Sequence, residues 1–301
     1  MKRGQVTVFI ILGILLLAGV GFYLYLSGRE AEVPLEAGVM KPTTDPRVFQ
    51  EFVEACLAET VTQGVYTIAA QGGYSAPKGD WSLGDSGDGL PIHYYVPEGV
   101  VPFVLNRNDS AVRPLADVEL VLARYVAANF DECLDFSDLE ARGYEVKKPT
   151  VDFEAINWDF ARAKVEFAQE TVRIDAELRP EGDIFVRARY PIAVSGLDAS
   201  FTIPETAVVV PLRLALLHKI AVRLADQIGK AARQGSAYKV DEHCQEYAPA
   251  DMQVNVYAFK SGAVREALIT VVDASPRRLG LAPLRFNIAV RNADAEGVCL
   301  G

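Results

Sequence analysis

Hydrophobic positions run almost unbroken from Val6 to Leu26, interrupted only by Thr7 and the glycines at 13, 19 and 21. As a helix rising about 1.5 Å per residue, this segment covers about 30 Å, the thickness of a bilayer's hydrocarbon core. Lys2 and Arg3 precede it, Arg29 is the first charge after it, and Tyr23 and Tyr25 near its far end suit the membrane interface. The pattern predicts a single-pass helix over 6–26, a cytoplasmic basic head over 1–5 and about 270 residues outside. Secretory peptides carry a shorter apolar stretch followed by a small-residue cleavage site. The exit sequence Tyr25-Leu26-Ser27-Gly28-Arg29-Glu30 offers no such site, so the anchor is expected to be retained.

Past a charged tether over 27–44, with Pro34 and Pro42, the periodicity becomes helical. Asp45 can cap a helix and Pro46 suits its first position. Phe49, Phe52, Val53, Cys56, Leu57, Val61, Val65 and Ile68 recur at spacings of three and four, and Gly72-Gly73 ends the run. Residues 73–112 are rich in Gly, Pro and Asp. Within them Leu90–Val96 and Val100–Leu105 read as short strands, and Pro91 and Pro97 point to a sheet edge. A second helix is predicted over Leu115–Phe130.

Alternation then takes over. Val151–Ile156, Lys164–Ala168, Val172–Leu178 and Ile184–Val194 predict an antiparallel meander, with a turn at Arg179–Gly182. A helix over Pro211–Ala232 buries Leu212, Leu216, Leu217, Ile220, Leu224 and Ile228, leaving Arg213, His218, Lys219, Arg223 and Lys230 on its surface. Val254–Phe259, Ala267–Val272 and Leu284–Val290 supply a second strand set. Strands grouped apart from helices define an α+β fold rather than a parallel α/β one. It is expected as two helix-plus-antiparallel-sheet modules, 45–200 and 201–301, or as one composite ectodomain. Asp131-Glu132-Cys133 and Asp241-Glu242-His243-Cys244 each follow a helical pattern, an echo compatible with internal duplication.

Charge narrows the partners. Setting aside Lys2 and Arg3 leaves 28 basic residues against 40 acidic ones, formally −12 outside the membrane. No basic footprint for nucleic acid is present at that balance. The four cysteines, Cys56, Cys133, Cys244 and Cys299, all follow the apolar run; an even number in an oxidising compartment reads as two disulfides. Of the three connectivities, Cys56–Cys133 and Cys244–Cys299 is favoured because each closes one half of the chain.

Candidate chemistry is sparse. His93, His218 and His243 are read as structural, and no zinc spacing, dinucleotide loop or Walker loop occurs, so no cofactor is expected. Asp80, Asp85 and Asp88 offer hard oxygen ligands for calcium among glycines, without the spacing of an EF-hand loop, and are read as a solvated acidic loop. Trp81, His93, Tyr94 and Tyr95 provide rigid amphipathic contact area suited to a partner surface. Asn108-Asp109-Ser110 is a glycosylation sequon.

Lys2-Arg3-Gly4-Gln5, placed directly before the apolar run, resembles the class III signal of archaeal type IV pilin-like proteins. The resemblance covers barely 30 residues. It implies cleavage after Gly4, with Gln5 as the first residue retained and the apolar helix left in the membrane or built into a filament. Phe9 stands where many such proteins carry Glu. The resulting expectation is a membrane-anchored extracytoplasmic structural or interaction protein of the cell envelope. Its partners would be the lipid bilayer through 6–26 and an envelope protein or glycan. The alternatives are a self-associating pilin-like filament subunit and an envelope hydrolase using an unrecognised carboxylate site.

Overall fold

A computed structural model describes residues 43–74, 93–96, 99–106, 109–110, 112–149, 164–166, 172–179, 182–196, 198–243, 251–261, 264–291 and 295–300. Within these, only the backbone is described for 93–100, 102–110, 164–166, 243, 259–261, 264–265, 277–278 and 295–300. The apolar run 6–26, the Gly4–Gln5 junction and the tether as far as residue 42 lie outside the described residues, as do Val151–Ile156. Among the described residues no helix is long and apolar enough to cross a membrane.

The first helix, α1 (Pro46–Ala70), forms where the cap signals place it. The Asp45 side chain accepts from the Arg47 amide at 2.9 Å, and Pro46 fills the first turn. At the other end the Gly73 amide donates to the Ile68 carbonyl at 2.9 Å. Gly72, at φ +69°, takes the left-handed turn that a side chain would resist. The single apolar stripe proves too narrow a description. Ala55, Ala58, Thr60, Thr62 and Gly64 are buried as well, because α1 packs against α2 (Leu115–Cys133), against β10 (Thr206–Val210) and against β14 (Leu284–Arg291). Thr60 and Thr62 satisfy their hydroxyls on the carbonyls of Cys56 and Ala58, at 2.9 and 2.7 Å, so helix interior can accept them.

Three sheets surround these helices, and the class is α+β. The largest runs in the order β1-β2-β14-β13-β12-β15-β11. Its members are β1 (His93–Val96), β2 (Gly99–Asn106), β14, β13 (Val264–Asp273), β12 (Met252–Ser261), β15 (Ala295–Leu300) and β11 (Tyr238–Lys239). A further short strand, β3 (Asp109–Ser110), pairs with β2. Most neighbours are antiparallel; β2–β14 and β11–β15 are parallel. Strands from both halves of the chain therefore share one sheet, and one apolar core extends from Phe49 to Val290. This is the composite arrangement. The two Asp-Glu pairs occupy different structures: Asp131-Glu132 closes α2, whereas Asp241-Glu242 sits in a 3-10 turn over Val240–His243.

A four-stranded antiparallel sheet has the order β10-β7-β6-β5, from β5 (Lys164–Glu166), β6 (Arg173–Leu178) and β7 (Ile184–Arg189). Its buried face is the one alternation predicts: Ile174, Ala176 and Leu178, with Ile184, Val186 and Ala188 beside them. The expected strand Ile184–Val194 is in fact two. Pro191 lacks an amide for the ladder, and Tyr190 before it turns inward. The Tyr190 hydroxyl donates to Asp131 Oδ1 at 2.7 Å, and its ring meets Phe130 edge-on with centroids 5.3 Å apart. The chain then crosses to a third sheet, β4-β8-β9, formed by β4 (Glu145–Lys147), β8 (Ile192–Ser195) and β9 (Ser200–Ile203). The short helix α3 (Ser137–Glu140) precedes β4.

The last helix, α4 (Leu214–Arg233), begins three residues after Pro211, because Thr206–Val210 is a strand that pairs with β7. It lies on β13 and β14 of the large sheet. The buried face includes Leu214, Leu217, Ala221, Leu224, Ala225 and Ile228. His218 falls inside that face. The expectation that it sits on the helix surface is corrected, since the alanines at 221 and 225 widen the apolar stripe around it.

Candidate ligand pocket

A cavity of about 510 Å³ opens where the start of α2, the end of β6 and one flank of α4 converge. Its apolar wall comes from Leu115, Leu178, Ala215, Leu216 and Val222. His218, Lys219 and Arg223 complete the lining among the described residues. Positions 215, 219, 222 and 223 share a strip of α4, by helical periodicity, flanking the face that packs on the large sheet. Leu216 and Val222 are half-buried, whereas Lys219 and Arg223 are exposed, which puts the cations where the cavity meets solvent.

Two contacts hold His218 in the wall. His218 Nε2 lies 2.7 Å from the Arg113 carbonyl, which can only accept, so the imidazole carries its proton on that nitrogen. The ring meets Phe286 edge-on at 5.9 Å. Burial pushes the His218 pKa below its ordinary value, outweighing the opposite pull of the Arg113 carbonyl. That shift favours the neutral imidazole, which acts as a partly apolar wall. On the opposite side the Leu178 amide donates to Glu119 Oε1 at 2.9 Å. Burial raises the Glu119 pKa, and Glu177 adds to that effect although the Leu178 bond opposes it.

One acidic residue of α4 near the cations is engaged elsewhere. Asp226 Oδ2 is 2.8 Å from Lys230 Nζ, one turn along α4. Lys219 and Arg223 make no ion pair among the described residues. Like charges four residues apart on a helix repel by a few tenths of a kcal/mol, about 0.2–0.5. The arrangement can accept an anion between them without displacing a partner among the described residues.

The residues singled out by sequence reasoning are scattered differently. Cys56 and Cys133 are bonded, with Cα atoms 5.8 Å apart, and tie α1 to the last residue of α2. Cys299 lies on β15 opposite Val254, with only its backbone described; Cys244 lies outside the described residues. His93, Tyr94 and Tyr95 form β1 at the edge of the large sheet, where the flanking prolines suggested, and their side chains are not among those described. Trp81, Asn108 and the aspartates at 80, 85 and 88 also lie outside. Among the described residues, no group of three His, Cys, Asp or Glu side chains is placed to hold a metal ion. None of the pocket was predicted. Its one sequence signal is the Lys219–Arg223 pair next to Leu216 and Val222, visible only once the opposite face of α4 is known to be buried. No family model matches the chain, and neither does a curated protein or a solved structure.

Proposed function

We propose that the chain is a membrane-anchored protein of the cell envelope whose folded part lies outside the cytoplasm and works by contact. The observation that carries this reading is the Cys56–Cys133 bond, which joins buried Cys56 on α1 to half-buried Cys133 at the end of α2. Disulfides persist in oxidising compartments, and cytosolic thiols are kept reduced. The apolar run Val6–Leu26 behind Lys2-Arg3 supplies the anchor and the orientation in this reading. The pocket contributes aliphatic walls, two cations and a structurally engaged histidine, equipment for holding a ligand.

Protease added to intact cells or right-side-out spheroplasts tests the reading. Digestion of the fold from about residue 43 onward is expected, leaving a short anchored stub. Protection until the membrane is permeabilised would overturn the orientation. Contact is tested separately by replacing Trp81, Tyr94 and Tyr95 together with alanine: capture of envelope partners should be lost while the fold is kept. Unchanged capture removes that surface.

A further inference from the structure

We propose that the cavity beside α4 binds a single-chain aliphatic anion, its hydrocarbon body against Leu115, Leu178, Leu216 and Val222 and its head group between Lys219 and Arg223. The proposal concerns this cavity alone and stands whichever side of a membrane the fold occupies.

Size and lining set the ligand class. About 510 Å³ falls within the range of small-molecule sites, roughly 300–1,000 Å³. The walls that define its body are branched aliphatics, which suit a flexible hydrocarbon chain and offer it no hydrogen bonds. The imidazole of His218 in the lining is already committed to the Arg113 carbonyl through Nε2. A polar, many-hydroxyl ligand such as a sugar would leave its groups unsatisfied against this wall.

Charge sets the head group. Lys219 and Arg223 stand one helical turn apart, unpaired among the described residues, while Asp226 is held by Lys230 and Glu119 accepts from the Leu178 amide. The chain as a whole carries −10, so its average field repels anions. Attraction at this position is therefore local and supplied by these two side chains. Binding an anion there replaces a like-charge contact with two favourable ones, and burying the hydrocarbon body adds the larger, non-directional term. A carboxylate and a phosphate head share this chemistry.

Photo-crosslinking tests the site. The full chain, reconstituted in phosphatidylcholine nanodiscs, is exposed to a dodecanoate carrying a diazirine in its chain, and labelled peptides are mapped by mass spectrometry. Label should concentrate on peptides containing Leu115, Leu178 or residues 214–223, over any background from partition into lipid. Excess dodecanoate or dodecyl phosphate should displace it, and the stronger of the two identifies the head group; dodecanol and dodecylammonium should not. Lys219→Glu with Arg223→Glu should lower labelling at these peptides at least tenfold without shifting thermal unfolding, because both side chains are exposed. Val222→Trp, which fills the cavity, should abolish labelling there while leaving the background. Label confined to lipid-facing segments, displacement by the neutral or cationic amphiphile, or full labelling of the charge-reversed variant would each overturn the proposal. An acidic apolar peptide that displaces the probe where both single-chain anions fail would also overturn it, assigning the cavity to a protein partner.

Discussion

The Arg213 guanidinium closes on the Asp273 carboxylate, with Nε 2.8 Å from Oδ2 and Nη2 bonded to Oδ1, joining the residue before α4 to the last residue of β13. The Asp273 side chain is fully buried, and the Arg213 side chain is about a quarter exposed. Burial alone would push the carboxyl upward. Hydrogen bonds from Arg213 and Ser275 outweigh that and hold its pKa below the usual carboxylate range. Nearby, burial and then the Asp273 charge push the Tyr66 phenol up to about 12, and its hydroxyl donates to the Ala282 carbonyl. The pair thus anchors the corner where α1, α4 and the large sheet meet.

Removing one partner should cost more than removing both. Arg213→Met leaves a buried carboxylate uncompensated and is expected to destabilise by about 3 kcal/mol. Adding Asp273→Asn should recover at least about 1 kcal/mol of that in a double-mutant cycle read by urea unfolding. Because the folded pKa of Asp273 is depressed, its contribution is present above the unfolded value, about 3.9, and is lost as pH falls through the lower folded value. The cost of Arg213→Met should therefore shrink in strong acid. A cost independent of pH down to full protonation would remove the charged pair as its cause.

His218 should produce a sensitivity of the same sign in a higher pH window. Its folded pKa is depressed by burial, so the unfolded chain takes up the proton more readily. Stability is greatest above the unfolded value, about 6.5, and falls as pH drops through it toward the lower folded value. His218→Gln can still donate to the Arg113 carbonyl but does not titrate. Between pH 7 and pH 5 the variant should lose less stability than the parent, measured by urea unfolding at each pH. Parallel losses would show that His218 is not the group responsible.

Gly72 is expected to tolerate no side chain. Its φ is +69°, and a Cβ there would stand 2.6 Å from the Asn287 carbonyl oxygen on β14. Asn287 also donates from Nδ2 to the Ala70 carbonyl at 2.9 Å and accepts from the Thr270 hydroxyl at 2.8 Å, so this backbone has little room to yield. Gly72→Ala should destabilise by about 1–3 kcal/mol, from the conformation and the contact together. Gly143→Ala, also at positive φ (+87°) but with nothing within 4 Å of the added Cβ, isolates the conformational part and should cost less. Equal costs would show that the close approach to Asn287 contributes nothing.

What could be read from sequence follows from how local its causes are. Helix α1 was legible because Asp45-Pro46 and Gly72-Gly73 mark its ends within a few residues of chain. Alternation placed the buried face of β6 and β7 for the same reason. The split at Tyr190-Pro191 was missed because the restraint on Tyr190 comes from Asp131, distant in sequence on α2. Strand β10 goes unassigned in the sequence, since Val208, Val209 and Val210 acquire their meaning only beside β7. His218 reads as a surface residue until Phe286 and the Arg113 carbonyl are in place. The pocket was least legible of all: Leu115, Leu178 and α4 reach it from three separate parts of the chain. No single window contains its shape.

The second disulfide is expected between Cys244 and Cys299, and the strand register now gives that pairing a reason beyond cysteine arithmetic. Strand β11 runs parallel to β15, with Tyr238 opposite Ala295 and Lys239 opposite Glu296. The 3-10 turn Val240–His243 that follows packs on β15, the strand that carries Cys299. Strand β15 in turn pairs with β12, where Cys299 stands opposite Val254. A Cys244–Cys299 bond would close a loop containing β12, β13 and β14 and fasten the outer strands of the large sheet. Peptide mapping without reduction should recover Cys244 linked to Cys299 and Cys56 linked to Cys133. Cys299→Ser should destabilise the fold by roughly 2–5 kcal/mol and leave the Cys56–Cys133 linkage intact. Recovery of Cys244 as a free thiol from protein isolated under non-reducing conditions would sink the pairing, however well the register suits it.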